Sequence, residues 1–193
     1  MKKYIFKGMS SRARLLLARK EGLDAEFKAQ LNGLEVEDLV AFANSRRGGA
    51  ILIGVSECSD NHQMQHVEIV GCDVGDAEKQ YILNKAQSCN QPIDVEIYIE
   101  NLDDKPFFRV EIPSGVEKPY CTAGGTYKIR GDGRTNSLFP RQLLSMFMET
   151  ENEKFLRRFQ EATRKLEEEV QYIKDKMAAA VEEIYKNIPK KKL

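Results

Sequence analysis

Apolar and polar residues change rhythm several times along this chain, and each rhythm predicts an element. In SSRARLLLARK, Ser10 or Ser11 can cap a helix whose apolar side is Leu15, Leu16 and Leu17. AEFKAQL then alternates, with Phe27 inward and Glu26 and Lys28 on the opposite face, as a half-buried strand does. LEVEDLVAFANSRRGG returns to helical spacing: Val36, Leu39, Val40 and Ala43 fall at i, i+3, i+4 and i+7. Acids stand in its first turn, Arg46 and Arg47 are expected in its last, and Gly48–Gly49 supply the stop. AILIGV is too short and too uniformly apolar for a helix. It predicts a buried strand, with QHVEIVGC as its hairpin partner across a polar loop.

GDAEKQYILNKAQSC is expected to be helical, with Ala77, Tyr81 and Leu83 inward. VEIYIENLDDKPFFRVEIP predicts two alternating strands around the turn LDDK, and TYKIR one more before a glycine-rich turn. The succession predicts an α+β fold, a mostly antiparallel central sheet with helices packed on it. From about Phe139 the pattern changes. Phe155, Phe159, Leu166, Val170, Ile173, Met177, Val181, Ile184 and Ile188 recur at three- and four-residue steps among Glu, Lys and Arg. That is a long amphipathic helix with room for one break. The chain therefore divides into a domain over residues 1–140 and a helical extension over 141–193. A stripe this long is expected to be covered by a second copy, making 150–193 a homodimerisation element. The alternative is that the helix folds back on its own sheet.

Composition narrows the class. The 193 residues are 41% hydrophobic and 31% charged, enough for one core plus an appendage. There is no run of 18 apolar residues, and the first twenty residues lack an uninterrupted apolar segment, so a cytoplasmic protein with no membrane span is expected. Four scattered cysteines with no CxxC pair do not suggest a disulfide framework. Cys58, His62, His66 and Cys72 are zinc-ligand types, but without a familiar spacing they read as polar loop residues and a small thiol.

Net charge is zero, which argues against indiscriminate polyanion binding, yet its distribution is uneven. Residues 1–20 hold seven basic side chains and no acid, whereas 94–117 are strongly acidic. Candidate phosphate contacts are Arg12, Arg14, Arg19, Arg46 and Arg47, with Lys128, Arg130 and Arg134 in the late glycine-rich segment. No GxxxxGK[ST] or GxGxxG motif is present, so nucleotide folds built on them are disfavoured. Tyr120 and Tyr127 are the only plausible stacking aromatics, which favours recognition of shape and backbone over sequence.

EGLDAEFKAQ sets Glu21 and Glu26 five residues apart, which is not a same-face helical spacing. Taken in order, EGLDAEFK, AFANSRRGG, AILIGVSE, IVGC, KPY and TYKIRGDGRT resemble the Schlafen or AlbA-type DNA-binding domain, from about Glu21 to Pro140. One departure is the extra arginine in NSRRGG. The resemblance implies two rival functions. One is a metal-dependent endoribonuclease acting on structured RNA such as tRNA through three carboxylates, which here would be Glu21, Glu26 and Glu57. Glu57 stands where the family commonly has aspartate. The other is a non-catalytic DNA- or RNA-binding regulatory module.

The chemistry of the residues is compatible with the first. Phosphodiester hydrolysis calls for a hard divalent ion, Mg²⁺ or Mn²⁺, which takes oxygen ligands from converging carboxylates. Lys28, beside Glu26, could then steady a phosphate. The plain alternative is an exposed strand face at Glu26 and Lys28 and a hairpin acid at Glu57. The resemblance further implies a groove flanked by two copies of the domain in some relatives, which a homodimer through 150–193 would rebuild by symmetry.

Overall fold

The computed structural model describes residues 4–19, 21–59, 65–131 and 133–187. His62 and Ile188, which figure in the expectations above, lie outside the described residues. The chain forms two compact units, Met1–Phe147 and Met148–Leu193.

In the first unit, α1 (Ser11–Leu17) leads into β1 (Ala25–Lys28), α2 (Val36–Asn44) and β2 (Gly49–Ile53). A small hairpin follows, β3 (Val55–Ser59) and β4 (Gln65–Ile69), then α3 (Asp76–Gln87). The strands β5 (Glu96–Glu100) and β6 (Phe107–Ile112) precede a second hairpin, β7 (Lys128–Gly131) and β8 (Arg134–Ser137). The central sheet runs β1-β2-β6-β5. Only β1 and β2 are parallel, and the other pairings are antiparallel. The α+β expectation, with a mostly antiparallel sheet, is met.

Strand alternation sorts the sheet into two faces. Ile51, Ile53, Phe108, Val110 and Ile112 face α2 and α3, where Leu39, Val40, Phe42, Ile82 and Ala86 complete the larger core. Ala25, Phe27, Ala50, Leu52 and Phe107 face the other way and pack against Ala13 and Leu16 of α1. Ser10 caps α1, its hydroxyl accepting from the Ala13 amide at 3.1 Å. Toward β5 the α1 face turns polar, where Glu100 and Arg109 are both buried.

Three expectations are corrected. The hairpin partner of QHVEI is not AILI but VSECS: Gly54, at φ 100°, ends β2 and β3 begins one residue later. Only glycine takes that backbone region easily, so one apolar run becomes two strands in two sheets. Helix α2 ends at Asn44, capped by Ser45, so Arg46 and Arg47 lie beyond it and not in its last turn. On α3 the inner residues are Ile82 and Ala86, while Ala77 and Tyr81 are exposed.

The described residues of the second unit are helical. They continue α4 (Pro140–Asn187), whose 48 residues run without the break allowed for. Among the described residues, no helix is long and apolar enough to cross a membrane.

Candidate nucleic-acid interface and acidic cluster

Glu26 and Lys28 lie on the β1 face covered by α2. Lys28 Nζ stands 3.0 Å from Glu26 Oε1 and 2.9 Å from Asp38 Oδ2 in the first turn of α2. The other Glu26 oxygen pairs with Arg130 of β7. Arg130 also donates to the carbonyls of Gly22 (2.8 Å) and Ala25 (2.9 Å), and its side chain is only 1% exposed. The Asp38 carboxylate additionally accepts from Thr135 of β8 and from the Glu35 amide. Two carboxylates and two cations thus neutralise one another where β1, α2 and the β7–β8 hairpin meet. Burial alone would lower the Lys28 pKa, but the pairings with Asp38 and Glu26 outweigh it and hold the ammonium above its ordinary value.

Glu21 and Glu57 are drawn to the same region by backbone contacts. The Glu21 amide donates to Glu57 Oε1 at 2.9 Å, and the Phe27 amide donates to Glu21 Oε1 at 2.7 Å. The turn at Gly133 lies against the same segment: a Cβ there would stand 3.7 Å from the Glu21 carbonyl oxygen. Partial burial raises the Glu21 pKa above its ordinary 4.5, opposed by the Phe27 amide and reinforced by the charges of Glu26 and Glu57. The charges of Glu26 and Glu57 therefore both act on Glu21. Four of the six oxygens of these three acids, however, are committed to Lys28, Arg130 and the backbone amides of Phe27 and Glu21. Among the described residues, no three His, Cys, Asp or Glu side chains are grouped so as to hold a metal ion. The donor set in this arrangement does not fit Mg²⁺ or Mn²⁺, which need several free converging oxygens. The same finding covers Cys58, His66 and Cys72. Cys58 contacts Ser56 and Glu68 weakly, and the Cys72 thiol donates to the Ile53 carbonyl at 3.3 Å.

The raised Glu21 pKa gives a signed expectation. Ionised Glu21 opposes folding, a cost that is absent below pH 4.5 and grows as pH rises through the elevated folded value. Glu21→Gln should therefore raise the melting temperature by about 1–2 °C at pH 7. The difference should vanish as pH falls to about 4.5, as paired thermal melts would show. An equal difference at every pH would assign the effect to packing.

The basic residues separate into used and unused. Arg12 is held by Glu111 at 3.1 Å and Arg19 by Asp24 at 2.7 Å. Arg130 is buried, so its expected phosphate role is corrected to a structural one. Lys128 contacts the Ser137 hydroxyl at 3.0 Å. Arg14, Arg46, Arg47 and Arg134 are exposed, with no side-chain partner among the described residues.

Arg46 and Arg47 stand on a fixed turn. Before them, the Ser45 hydroxyl donates to the carbonyls of Phe42 (2.7 Å) and Gly48 (3.2 Å), while its own carbonyl accepts from Ser114 and Lys118. After them, Gly48 sits at φ 71°, and a Cβ there would come within 2.2 Å of the Ile112 carbonyl oxygen. Only glycine closes this turn.

Two clefts open beside it. One, of about 630 Å³, is lined by Arg19, Asp24, Arg46, Arg47, Ile129 and Arg130. The other, of about 510 Å³, also reaches Arg47, but its charged lining is otherwise Arg12 against Asp24, Asp94, Glu96 and Glu111. A polyanion is attracted to the first and repelled from the second.

The chain was compared with known proteins. The sequence profile described as Schlafen, AlbA_2 matches residues 21–138. Among curated proteins nothing matches. The fold resembles the solution structure of the N-terminal domain of a protein from Nitrosomonas europaea, related to the ATP-dependent DNA helicase RecG. That match has a TM-score of 0.52 and 21% identity, covering 65% of this chain and 89% of the other. A crystal structure of the DIP2311 protein from Corynebacterium diphtheriae matches with a TM-score of 0.45 at 13% identity, covering 66% of this chain and 30% of that one. Because the profile spans the acidic segment, the Asn44–Gly49 turn, the central sheet and the β7–β8 hairpin together, this chain belongs to the Schlafen, AlbA_2 family.

Proposed function

We propose that this protein is a nucleic-acid-binding module that grips backbone phosphates at the Arg46–Arg47 turn. The observation carrying this reading is the pair of exposed arginines, unpartnered among the described residues, on a glycine-closed turn beside a cleft whose fixed charge is positive. A preorganised guanidinium pair costs little entropy to bind phosphate and suits its geometry. Arg14, Arg134 and Lys128 extend the basic set, whereas Arg12 belongs to the acidic cleft. Membership of the family, and the helicase relative after which the similar domain is named, both support a nucleic-acid partner. Two copies joined through residues 150–193 would present two such turns to one ligand, adding avidity to a weak single contact.

A second reading is cleavage of structured RNA at Glu21, Glu26 and Glu57, assisted by Mg²⁺ or Mn²⁺ and Lys28. What favours it is the common field of the three acids at Glu21. It stands second because Glu26 would have to give up both of its cations.

The test uses fluorescence anisotropy of the full chain with a folded RNA, a DNA duplex and a single strand, each at two salt concentrations. Arg46→Glu/Arg47→Glu should weaken binding by about tenfold or more at low salt and flatten the salt dependence by about two units of slope. Unchanged affinity in that variant overturns the binding site. The same RNA incubated with Mg²⁺ or Mn²⁺ should remain intact. Cleavage that disappears in Glu57→Gln would promote the second reading over the first.

A further inference from the structure

The exposed stripe of the second unit carries a repeat that fixes how it is covered. Phe155, Leu166 and Met177 are separated by 11 residues, as are Phe159, Val170 and Val181, and likewise Ala162, Ile173 and Ile184. Three consecutive 11-residue repeats thus place apolar residues at the first, fifth and eighth positions. On one helix at about 3.67 residues per turn these positions fall within a narrow stripe, without the drift a seven-residue repeat would show. Eight of the nine are large, and those eight are 49% to 65% exposed. The helix carrying them is unbroken, and three repeats extend for about 50 Å.

We infer that the occupant of this stripe is the stripe of a second copy of the chain, lying parallel and in register, in a shallow right-handed coiled coil. This deepens the dimer suggested above and rests on it. A strict 11-residue period is matched along its whole length only by a surface of the same period, which a second copy supplies. A shorter or seven-residue partner would leave the stripe within a few turns.

Charge selects the orientation. Glu169 and Lys174 flank the stripe on opposite sides, five residues apart, and neither has a partner among the described residues. In a parallel in-register pair, Glu169 of each copy faces Lys174 of the other, giving two attractive pairs. An antiparallel pair overlapping over 155–184 brings Glu169 of one copy beside Glu169 of the other, which is repulsive.

Sedimentation equilibrium of the full chain without nucleic acid should give a dimer, and Val170→Glu should give a monomer. Because Val170 is exposed in the chain itself, unchanged melting of the first unit would confirm that only association was lost. Glu169→Lys and Lys174→Glu should each weaken self-association by about fivefold, and an equimolar mixture of the two should form the heterodimer preferentially. Air oxidation of Ala162→Cys and of Ile184→Cys, with the bond located by mass spectrometry, should link two copies at both positions. A monomer at tens of micromolar, about the range where coiled coils of this length associate, overturns the inference. So does a dimer that cross-links at neither cysteine, the antiparallel result for an overlap over 155–184, or at only one of them, which a parallel in-register pair cannot give. Loss of nucleic-acid binding in a chain that remains dimeric would leave this inference standing and remove the binding site alone.

Discussion

Glu100→Ala should destabilise the first unit by about 3 kcal/mol, at the lower end of what breaking a buried ion pair costs. Glu100 is fully buried at the end of β5 and accepts three hydrogen bonds: from the Ser10 amide (2.7 Å), the Ser10 hydroxyl (2.7 Å) and Arg109 Nε (2.9 Å). Alanine would strand two donors at the start of α1 and leave the Arg109 guanidinium under-neutralised. Arg109 keeps one further acid, Glu111 at 2.5 Å, and the face of Tyr98 at 3.9 Å, which limit the loss. Because the same carboxylate fixes Ser10, which caps α1, the loss should loosen that helix first. Urea denaturation should show the lower midpoint, and hydrogen exchange should show early deprotection of Ala13 and Leu16. Replacement of both partners, Glu100→Leu with Arg109→Met, should recover most of the stability, since a buried pair is held in place more by the cost of breaking it than by its net gain. A double variant no more stable than Glu100→Ala would mean that the cost lies in the α1 cap.

The way these residues sit in the fold explains what the sequence could and could not reveal. Local rhythm was enough for α1, β1, the β5–β6 hairpin and the long helix, because each is set by neighbours within a turn or a strand. The end of α2 was misplaced because Gly48–Gly49 look like a helix stop. The helix in fact stops at Asn44, four positions before Gly48, and Gly48 instead closes the turn that presents Arg46 and Arg47. Arg130 alternates with Ile129 as a surface residue would. It is buried because Glu26, the Gly22 carbonyl and the Ala25 carbonyl, about a hundred positions away, all converge on it. Motif order brought out the acids Glu21, Glu26 and Glu57. It could not show that Asp38 of the next helix shares Lys28 with Glu26, because one acid in a helical first turn looks like ordinary dipole compensation. Arg109 and Glu100 lie within the acidic stretch 94–117, and only the strand register brings them together, Glu100 opposite Phe107 and Arg109 opposite Tyr98, so that the two side chains meet diagonally on one face.

A second structural residue was visible in the sequence only as the polar end of an apolar helix. Asn44→Ala should cost about 3–4 kcal/mol, because three buried hydrogen bonds end on this one side chain. Its Nδ2 donates to the carbonyls of Tyr120 and Lys128, each at 2.8 Å, and its Oδ1 accepts from the Tyr120 amide at 2.7 Å. Asn44 is 2% exposed, so water cannot replace these contacts, and alanine would leave one donor and two acceptors of the backbone unsatisfied. The bonds tie the last residue of α2 to Tyr120, in the segment before β7, and to Lys128, the first residue of the strand that carries Arg130 into the Glu26 cluster. Losing them frees the β7–β8 hairpin on one side and the Arg46–Arg47 turn on the other. Thermal unfolding should therefore shift down by about 6–16 °C, given roughly 2–4 °C per kcal/mol at this size. Nucleic-acid affinity, measured well below the new melting point, should fall although no binding residue has changed. Asn44→Asp should be nearly as damaging, since a carboxylate can still accept from Tyr120 but cannot donate to either carbonyl and carries a buried charge. A variant at this position that melts like the wild type yet binds weakly would instead assign Asn44 to the interface.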